Sequence, residues 1–360
     1  MEKIYLSQKL GQSGDALRQA MNGCCVVWDT LPGTRDIWAG DYMPLRNGAG
    51  EWVVFTYDPA YLRPFPQRRT VVGETMAHRL ALEMKFVPLR VEGGNIVFSP
   101  SRKQVVVTER IFAENPELSP GQVVHRLEEA LAAEAIFLPD PGDRTGHAGD
   151  LVRFLEESTA LGRHAPGEEA LETETRRILA GHGIETVDFP CCRADRVNAE
   201  GVRSTEGNYL GYVETKHHIF LPSFQSRKKD AQAMQAAEGL FSKKIVPVDC
   251  CRIARMGGSL QGVTWRCDDA LRHDWVRRKE YTVIRCPVCG RRTLDQGWLC
   301  PRCGWEAGEA PEANGGLSAA AYRRAWTAAG SPAAAPEDLH DPGWRELEGA
   351  VYLRREEVSV

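Results

Sequence analysis

Short apolar runs alternate with amphipathic stretches along the first three quarters of the chain, up to about residue 267. CCVVWDTL (24–31), EWVVFTY (51–57), KQVVVTER (103–110), EAIFLP (134–139), HHIFLPSF (217–224) and KIVPVDCC (244–251) are short, rich in branched and aromatic residues and bounded by turn formers. That pattern predicts strands. SPGQVVHRLEEALAAE (119–134) and PGEEALETETRRILAGHG (166–183) carry apolar stripes at helical spacing behind Ser-Pro-Gly and Pro-Gly entries, the second with acidic residues in its early turns. They predict helices, the second closed by a glycine cap. Strands alternating with helices predict an α/β fold.

Beyond residue 270 the periodicity is lost. RCPVCGRRTLDQGWLCPRCGW (285–305) is a compact cysteine module, followed by the Gly/Ala/Pro/Glu-rich stretch EAGEAPEANGG. LSAAAYRRAW (317–326) predicts a short helix, and residues 328–343 are too rich in Pro and Ala to predict packing. WRELEGAVYLRREEVSV (344–360) fits a helix or a strand equally. The expected organisation is therefore a large domain over 1–272, a metal module over 283–306, and a linker and tail over 307–360.

Composition changes this picture little. The chain has 360 residues, of which 26% are charged, with a net charge of −4. No basic field invites nucleic acid. No apolar run reaches the length of a membrane span, and the first residues lack a signal-peptide core. A soluble cytoplasmic protein without a membrane partner is the expectation. The cysteines add more. Eleven are present, and an odd number without a secretion signal argues for thiols and a metal site over a disulfide framework.

Four of them form two C-x-x-C knuckles, Cys286/Cys289 and Cys300/Cys303, each followed by glycine. Each knuckle presents two thiolates on one tight turn, and four thiolates suit a tetrahedral zinc ion. A closed four-sulfur site has no open coordination position, so the predicted role is structural, one zinc per module. Iron in a rubredoxin-like site is the alternative. Such a ribbon also offers a surface for a protein partner.

Five phrases occur together in the large domain: RDIWAGDYMPL (35–45), VEGGNIV (91–97), TGHAGDLVRF (145–154), GNYLGY with IFLPSF (207–224), and GGSLQGVTW (257–265). In this order they resemble the agmatine deiminase and bacterial peptidyl-arginine deiminase family of the pentein, or guanidino-group-modifying, superfamily. The resemblance covers roughly residues 1–270. It implies a five-bladed α/β propeller of ββαβ units with a central active site. It also implies hydrolysis of a guanidino group to a ureido group with release of ammonia. A cysteine thiolate attacks the guanidinium carbon, a histidine moves protons, and carboxylates hold the planar cation by paired hydrogen bonds.

On that resemblance His147 and Asp41 carry catalysis. Trp38, Glu92, Asn95, Asp150, Arg153 and Trp265 are substrate-binding candidates, and the ligand is a guanidino small molecule or an arginine-containing peptide. Four positions depart from the family pattern. Gly40 replaces an arginine, Gly149 a carboxylate, Gly211 an amide, and Gly262 the nucleophilic cysteine. Cys267 lies five residues beyond Gly262, some 16 Å along an extended strand at about 3.3 Å per residue, too far to substitute. The leading expectation is a non-hydrolysing pentein protein that binds a ligand or a partner. The alternative is an active guanidino or amidino hydrolase that uses His147 and Asp41 with a different nucleophile. A third reading is a regulatory subunit of an active relative. Loss of four side chains is expected either to enlarge the central channel or to let it collapse.

Overall fold

Val105, Val106 and Val107 are all fully buried. A strand covered on both faces needs this continuous apolar run, and it sits at the middle of a three-stranded sheet. The computed structural model describes residues 3–31, 33–63, 69–70, 84–142, 145–191, 196–197 and 203–267, then 283–286, 288–290, 292–294, 298–299, 303, 305–307, 318–330, 344–347 and 351–354. The chain divides into two compact units, Met1–Leu271 and Arg272–Val360.

In the first unit, β1 (Lys3–Ser7) lies between β2 (Trp28–Leu31) and a strand from the far end, β15 (Thr264–Cys267). Next come β3 (Leu45–Arg46), β4 (Trp52–Thr56) and β5 (Met84–Arg90), followed by β6 (Val97–Phe98), β7 (Gln104–Thr108) and β8 (Glu134–Leu138). The fourth sheet joins β9 (Val152–Glu156), β10 (Thr159–His164) and β11 (Glu185–Pro190), and the fifth joins β12 (Val213–Glu214), β13 (His218–Ser223) and β14 (Lys244–Asp249). One rule governs all five. The middle strand pairs antiparallel with one neighbour and parallel with the other.

A parallel pair needs a long crossover, usually helical. Helices Asp15–Gly23, Pro120–Leu131, Glu169–Gly181 and Arg227–Leu240 fill the first, third, fourth and fifth crossovers. The second runs mainly through residues outside the described set. Pro120–Leu131 starts where its sequence predicts. Ser119 accepts from the Gln122 amide while the Gln122 side chain accepts from the Ser119 amide, a reciprocal cap. The Arg227–Leu240 helix and the strands β9 to β11 are α/β elements that the apolar pattern did not single out. The adjacent cysteines Cys24-Cys25 and Cys250-Cys251 are not strand pairs. The first follows the Asp15–Gly23 helix in a turn, and the second opens the short helix Cys251–Arg255.

In the second unit, Val283–Arg285 pairs with Arg292–Leu294 and Trp298–Leu299 with Glu306–Ala307, both antiparallel. The helix Ala319–Ala328 is capped by Ser318. It packs Tyr322 and Trp326 against Cys286, Cys303 and Trp305, so the core of the cysteine module extends past residue 306. Trp344–Leu347 and Val351–Arg354 form an antiparallel pair, which resolves that segment as strand. Among the described residues no helix is long and apolar enough to cross a membrane.

Candidate active site

Three tight turns build the site. Asp41 lies in the one-turn helix Ala39–Tyr42 between β2 and β3. Glu92 precedes the 3-10 turn Gly93–Asn95, and His147 precedes the 3-10 turn Ala148–Asp150. Buried Asn95 ties the second turn to the third. Its Oδ1 accepts from the Thr108 amide, the Thr108 hydroxyl and the Ala148 amide, each at 3.0 Å. The Gly94 amide donates to Asp41 Oδ1 at 3.0 Å, tying the second turn to the first. A side chain would prevent this approach. A Cβ on Gly93 would stand 2.1 Å from the Gly40 carbonyl oxygen, and one on Gly94 2.4 Å from His147 Nδ1.

The turns bring Asp41, Glu92 and His147 together. One ligand-type atom from each lies within 4.8 Å of the others, and His147 Nε2 is 3.3 Å from Glu92 Oε2. Burial raises Asp41 above the usual carboxylate range, and Glu92 pushes the same way against the opposing pull of His147. Burial disfavours the imidazolium of His147, but the carboxylates of Asp41 and Glu92 outweigh it and raise its pKa. Charge at this centre is thus held by mutual pairing, as buried charge must be.

Two partners lie outside the sequence motifs. The Tyr61 hydroxyl donates to Glu92 Oε2 at 3.0 Å, and the Tyr57 hydroxyl is 3.5 Å from that of Tyr61. Burial and the adjacent Glu92 raise the Tyr61 phenol well above its ordinary value. The only sequence signal for the pair is its spacing of four after β4. A cavity of about 20 Å³, lined in part by Glu92 and Asn95 with Asp58, Arg90 and Arg110, opens beside them.

The side chains of the remaining candidates are engaged with other partners. Asp150 accepts from the Asn208 side chain at 2.9 Å. Arg153 donates to the side-chain oxygen of Gln261 and to the carbonyls of Leu210 and Tyr212, and covers the Tyr212 ring. Trp265 is buried against Tyr5 and Trp52, with its indole N–H on the Pro44 carbonyl at 2.8 Å. Trp38 lies against the 257–263 turn, its ring facing Gly258 and Gly262.

The four glycines that depart from the motif pattern differ in their surroundings. At Gly40 a Cβ would meet the Gln261 carbonyl oxygen at 2.6 Å, at Gly149 the Gly94 carbonyl oxygen at 2.9 Å, and at Gly211 the Ser259 Cβ at 2.3 Å. At Gly262 the nearest atom would be Trp38 Cε3 at 3.5 Å, an ordinary van der Waals contact. Neighbouring atoms have closed on three of the positions and left the fourth open. Cys267 and Cys250 are buried in separate apolar clusters.

In the second unit the sulfurs of Cys286, Cys289 and Cys303 lie within 4.8 Å of one another. Cys286 and Cys303 Sγ are 3.7 Å apart, and the Gly290 amide donates to the Cys286 carbonyl at 2.9 Å. Three converging thiols form a donor set able to hold a metal ion, and thiolate donors suit zinc or iron. Cys300, the fourth expected ligand, lies outside the described residues.

Comparison with known proteins follows this geometry. The family model for Porphyromonas-type peptidyl-arginine deiminase matches residues 7–267. A search of curated proteins finds no match. Among solved structures, substrate-bound C. jejuni agmatine deiminase is similar at 17% identity and TM-score 0.60, covering 74% of this chain and 93% of its own. Agmatine deiminase of Enterococcus faecalis is similar at 15% identity and TM-score 0.61, covering 73% and 92% respectively. At such identities the likeness speaks for the fold.

Proposed function

The chain belongs to the Porphyromonas-type peptidyl-arginine deiminase family, and on that premise we propose that it is a member without covalent deiminase chemistry, one that binds a cation at Asp41, Glu92 and His147 and does not hydrolyse it. In this reading the five sheets are the blades of a closed propeller. The cation is the guanidinium of a small molecule or of an arginine-containing peptide, and the cysteine module is a structural zinc ribbon.

The observation that carries the reading is Gly262. On the family resemblance this position supplies the thiolate, and a bond from sulfur to the guanidinium carbon cannot form without it. Losing an activated, prepositioned nucleophile removes several orders of magnitude in rate. Cys267 and Cys250 pack in apolar clusters, and burial pushes the Cys250 thiol well above its ordinary value. The two carboxylates and the imidazole remain together, and two anions facing one imidazole form a centre for a cation.

The test pairs binding with turnover. Agmatine and an arginine-containing peptide are titrated into the full chain by calorimetry, and ammonia release is followed in parallel. Saturable binding that Glu92→Gln weakens, without ammonia, supports the reading. Sustained ammonia release by the native chain would overturn it in favour of water attack assisted by His147.

A further inference from the structure

We propose that Asp41, Glu92 and His147 also form a binding site for a divalent first-row transition-metal ion, which competes with guanidinium for the same carboxylates. The inference rests on the preceding reading of the trio as a cation centre and names a second ligand for it.

The argument begins with the donor set. Two carboxylates and an imidazole, from three separate turns, place one donor atom each within 4.8 Å of one another. Carboxylate oxygen and imidazole nitrogen both bind such ions at about 2.0–2.2 Å. Two donors at that distance, separated by an angle between octahedral and tetrahedral, lie roughly 3.0–3.4 Å apart. His147 Nε2 and Glu92 Oε2 are 3.3 Å apart. This pair already stands near the separation that coordination requires, and Asp41 offers an oxygen within 4.8 Å of both.

Orientation agrees. His147 turns its Nδ1 edge toward the Gly94 backbone, which leaves Nε2 facing Glu92. Glu92 is held from behind by the Tyr61 hydroxyl at 3.0 Å, and Asp41 by the Gly94 amide at 3.0 Å. Each carboxylate therefore accepts a hydrogen bond of the kind that fixes metal-ligating oxygens. Asn95, with its three accepted bonds, holds the turns that bear Glu92 and His147 at a fixed separation.

Size favours the ion in the conformation observed. A planar guanidinium needs a slot wide enough for its three nitrogens. Here the Gly94 backbone lies against the imidazole, whereas an ion needs only one atom from each of the three side chains. The trio's oxygen and nitrogen donors also distinguish it from the sulfur site of the second unit.

Cobalt reports the two sites separately. The full chain is stripped with chelator and titrated with Co²⁺. The cysteine module gives thiolate-to-cobalt charge-transfer bands, whereas an oxygen- and nitrogen-ligated ion gives only weak ligand-field bands. The expected result is a further equivalent of cobalt beyond the thiolate site, absent in Glu92→Gln and in His147→Gln while the thiolate bands persist. Tyr61→Phe should weaken this second site about tenfold or more. Saturation with Mn²⁺ should weaken agmatine binding by about tenfold or more, as competition for one site requires. Cobalt bound at the thiolate site alone, in native and variant chains alike, overturns the metal inference. If agmatine still binds and Glu92→Gln abolishes that binding, the earlier reading stands without the metal. If neither cobalt nor agmatine responds to Glu92→Gln, both fail.

Discussion

The amide of Gly40 donates to the carbonyl oxygen of Gly262 at 2.9 Å, joining two positions where the motif resemblance leads one to expect an arginine and a cysteine. They are not equivalent. Gly40 faces carbonyl oxygens of Gln261 and Thr264 at 2.6 and 2.9 Å from a would-be Cβ, while Gly262 has nothing closer than 3.5 Å. Gly40→Ala should therefore destabilise the first unit by about 1–3 kcal/mol, the usual cost of overpacking against atoms that cannot retreat. Gly262→Ala should change stability by less than about 0.5 kcal/mol. Urea unfolding of the two variants measures the difference, and equal losses would show that the 257–263 turn adjusts freely.

That open position also allows a gain-of-function test. Gly262→Cys should fold normally, because a Cβ there meets only ordinary van der Waals contacts, the nearest to Trp38 at 3.5 Å. On the proposed reading it should release ammonia slowly from agmatine where the native chain releases none, and His147→Gln in the same background should abolish the gain. Folded but inert Gly262→Cys protein would mean that closure around Gly40, Gly149 and Gly211 blocks the substrate as well as removing the nucleophile.

Asp36 should give a readable pH signature. Burial raises it from its ordinary 3.8 to about 6, partly offset by hydrogen bonds from the Trp38 amide and from Thr70. The folded state therefore binds this proton more tightly than the unfolded state. The stabilisation is fully present below about 3.8 and is lost as pH rises through about 6. Asp36→Asn keeps the acceptor for Trp38 and cannot ionise. Compared with the native chain, it should gain relative stability between pH 4 and pH 7, at most about 3 kcal/mol by linkage. Chemical unfolding at both pH values, native against variant, reads this difference. A constant offset would mean that Asp36 titrates normally.

In the second unit, metal removal should be visible in the aromatic residues. The Tyr322 hydroxyl donates to the Cys303 carbonyl at 3.0 Å, and its ring meets Trp305 edge-on at 5.2 Å. Releasing an ion from the thiolates loosens the turn that bears Cys303. Chelation should then shift tryptophan emission to the red and reduce helical ellipticity modestly, and Cys303→Ser should reproduce both without chelator. Unchanged spectra on demonstrated metal loss would show that the Ala319–Ala328 helix packs independently of the ion.

Much of the scaffold was legible in the sequence where burial was continuous. Val105–Val107 and the run at 218–223 announce their strands because both faces are covered, and Ser119 with Gln122 announces a helix start. The tail Trp344–Arg354 was ambiguous because two short apolar runs around a glycine fit either period. Arg227–Leu240 went unread because only Ala233 and Ala237 are fully buried on it, and alanine leaves little stripe in a hydropathy pattern. Asp41, Glu92 and His147 were named from motifs, since nothing in local periodicity relates three residues separated by more than fifty positions. Tyr61 escaped notice because its role depends on a fold that carries Ala60–Leu62 back to Glu92. The closing of three glycine positions by neighbouring backbone and Ser259 is a tertiary outcome with no local trace.

The pairing of β1 with β15 carries a consequence for synthesis. Lys3 through Leu6 meet Cys267 through Thr264 in register, so the strand made first finds its outer partner only when the final strand of the unit leaves the ribosome. At about 5–20 residues per second, that is a wait of roughly 13–50 s. Until then Tyr5 lacks the tilted ring contact that it makes with Trp265 in the finished unit. A nascent chain arrested before residue 264 would leave one edge of β1 unpaired and its apolar residues uncovered on that side.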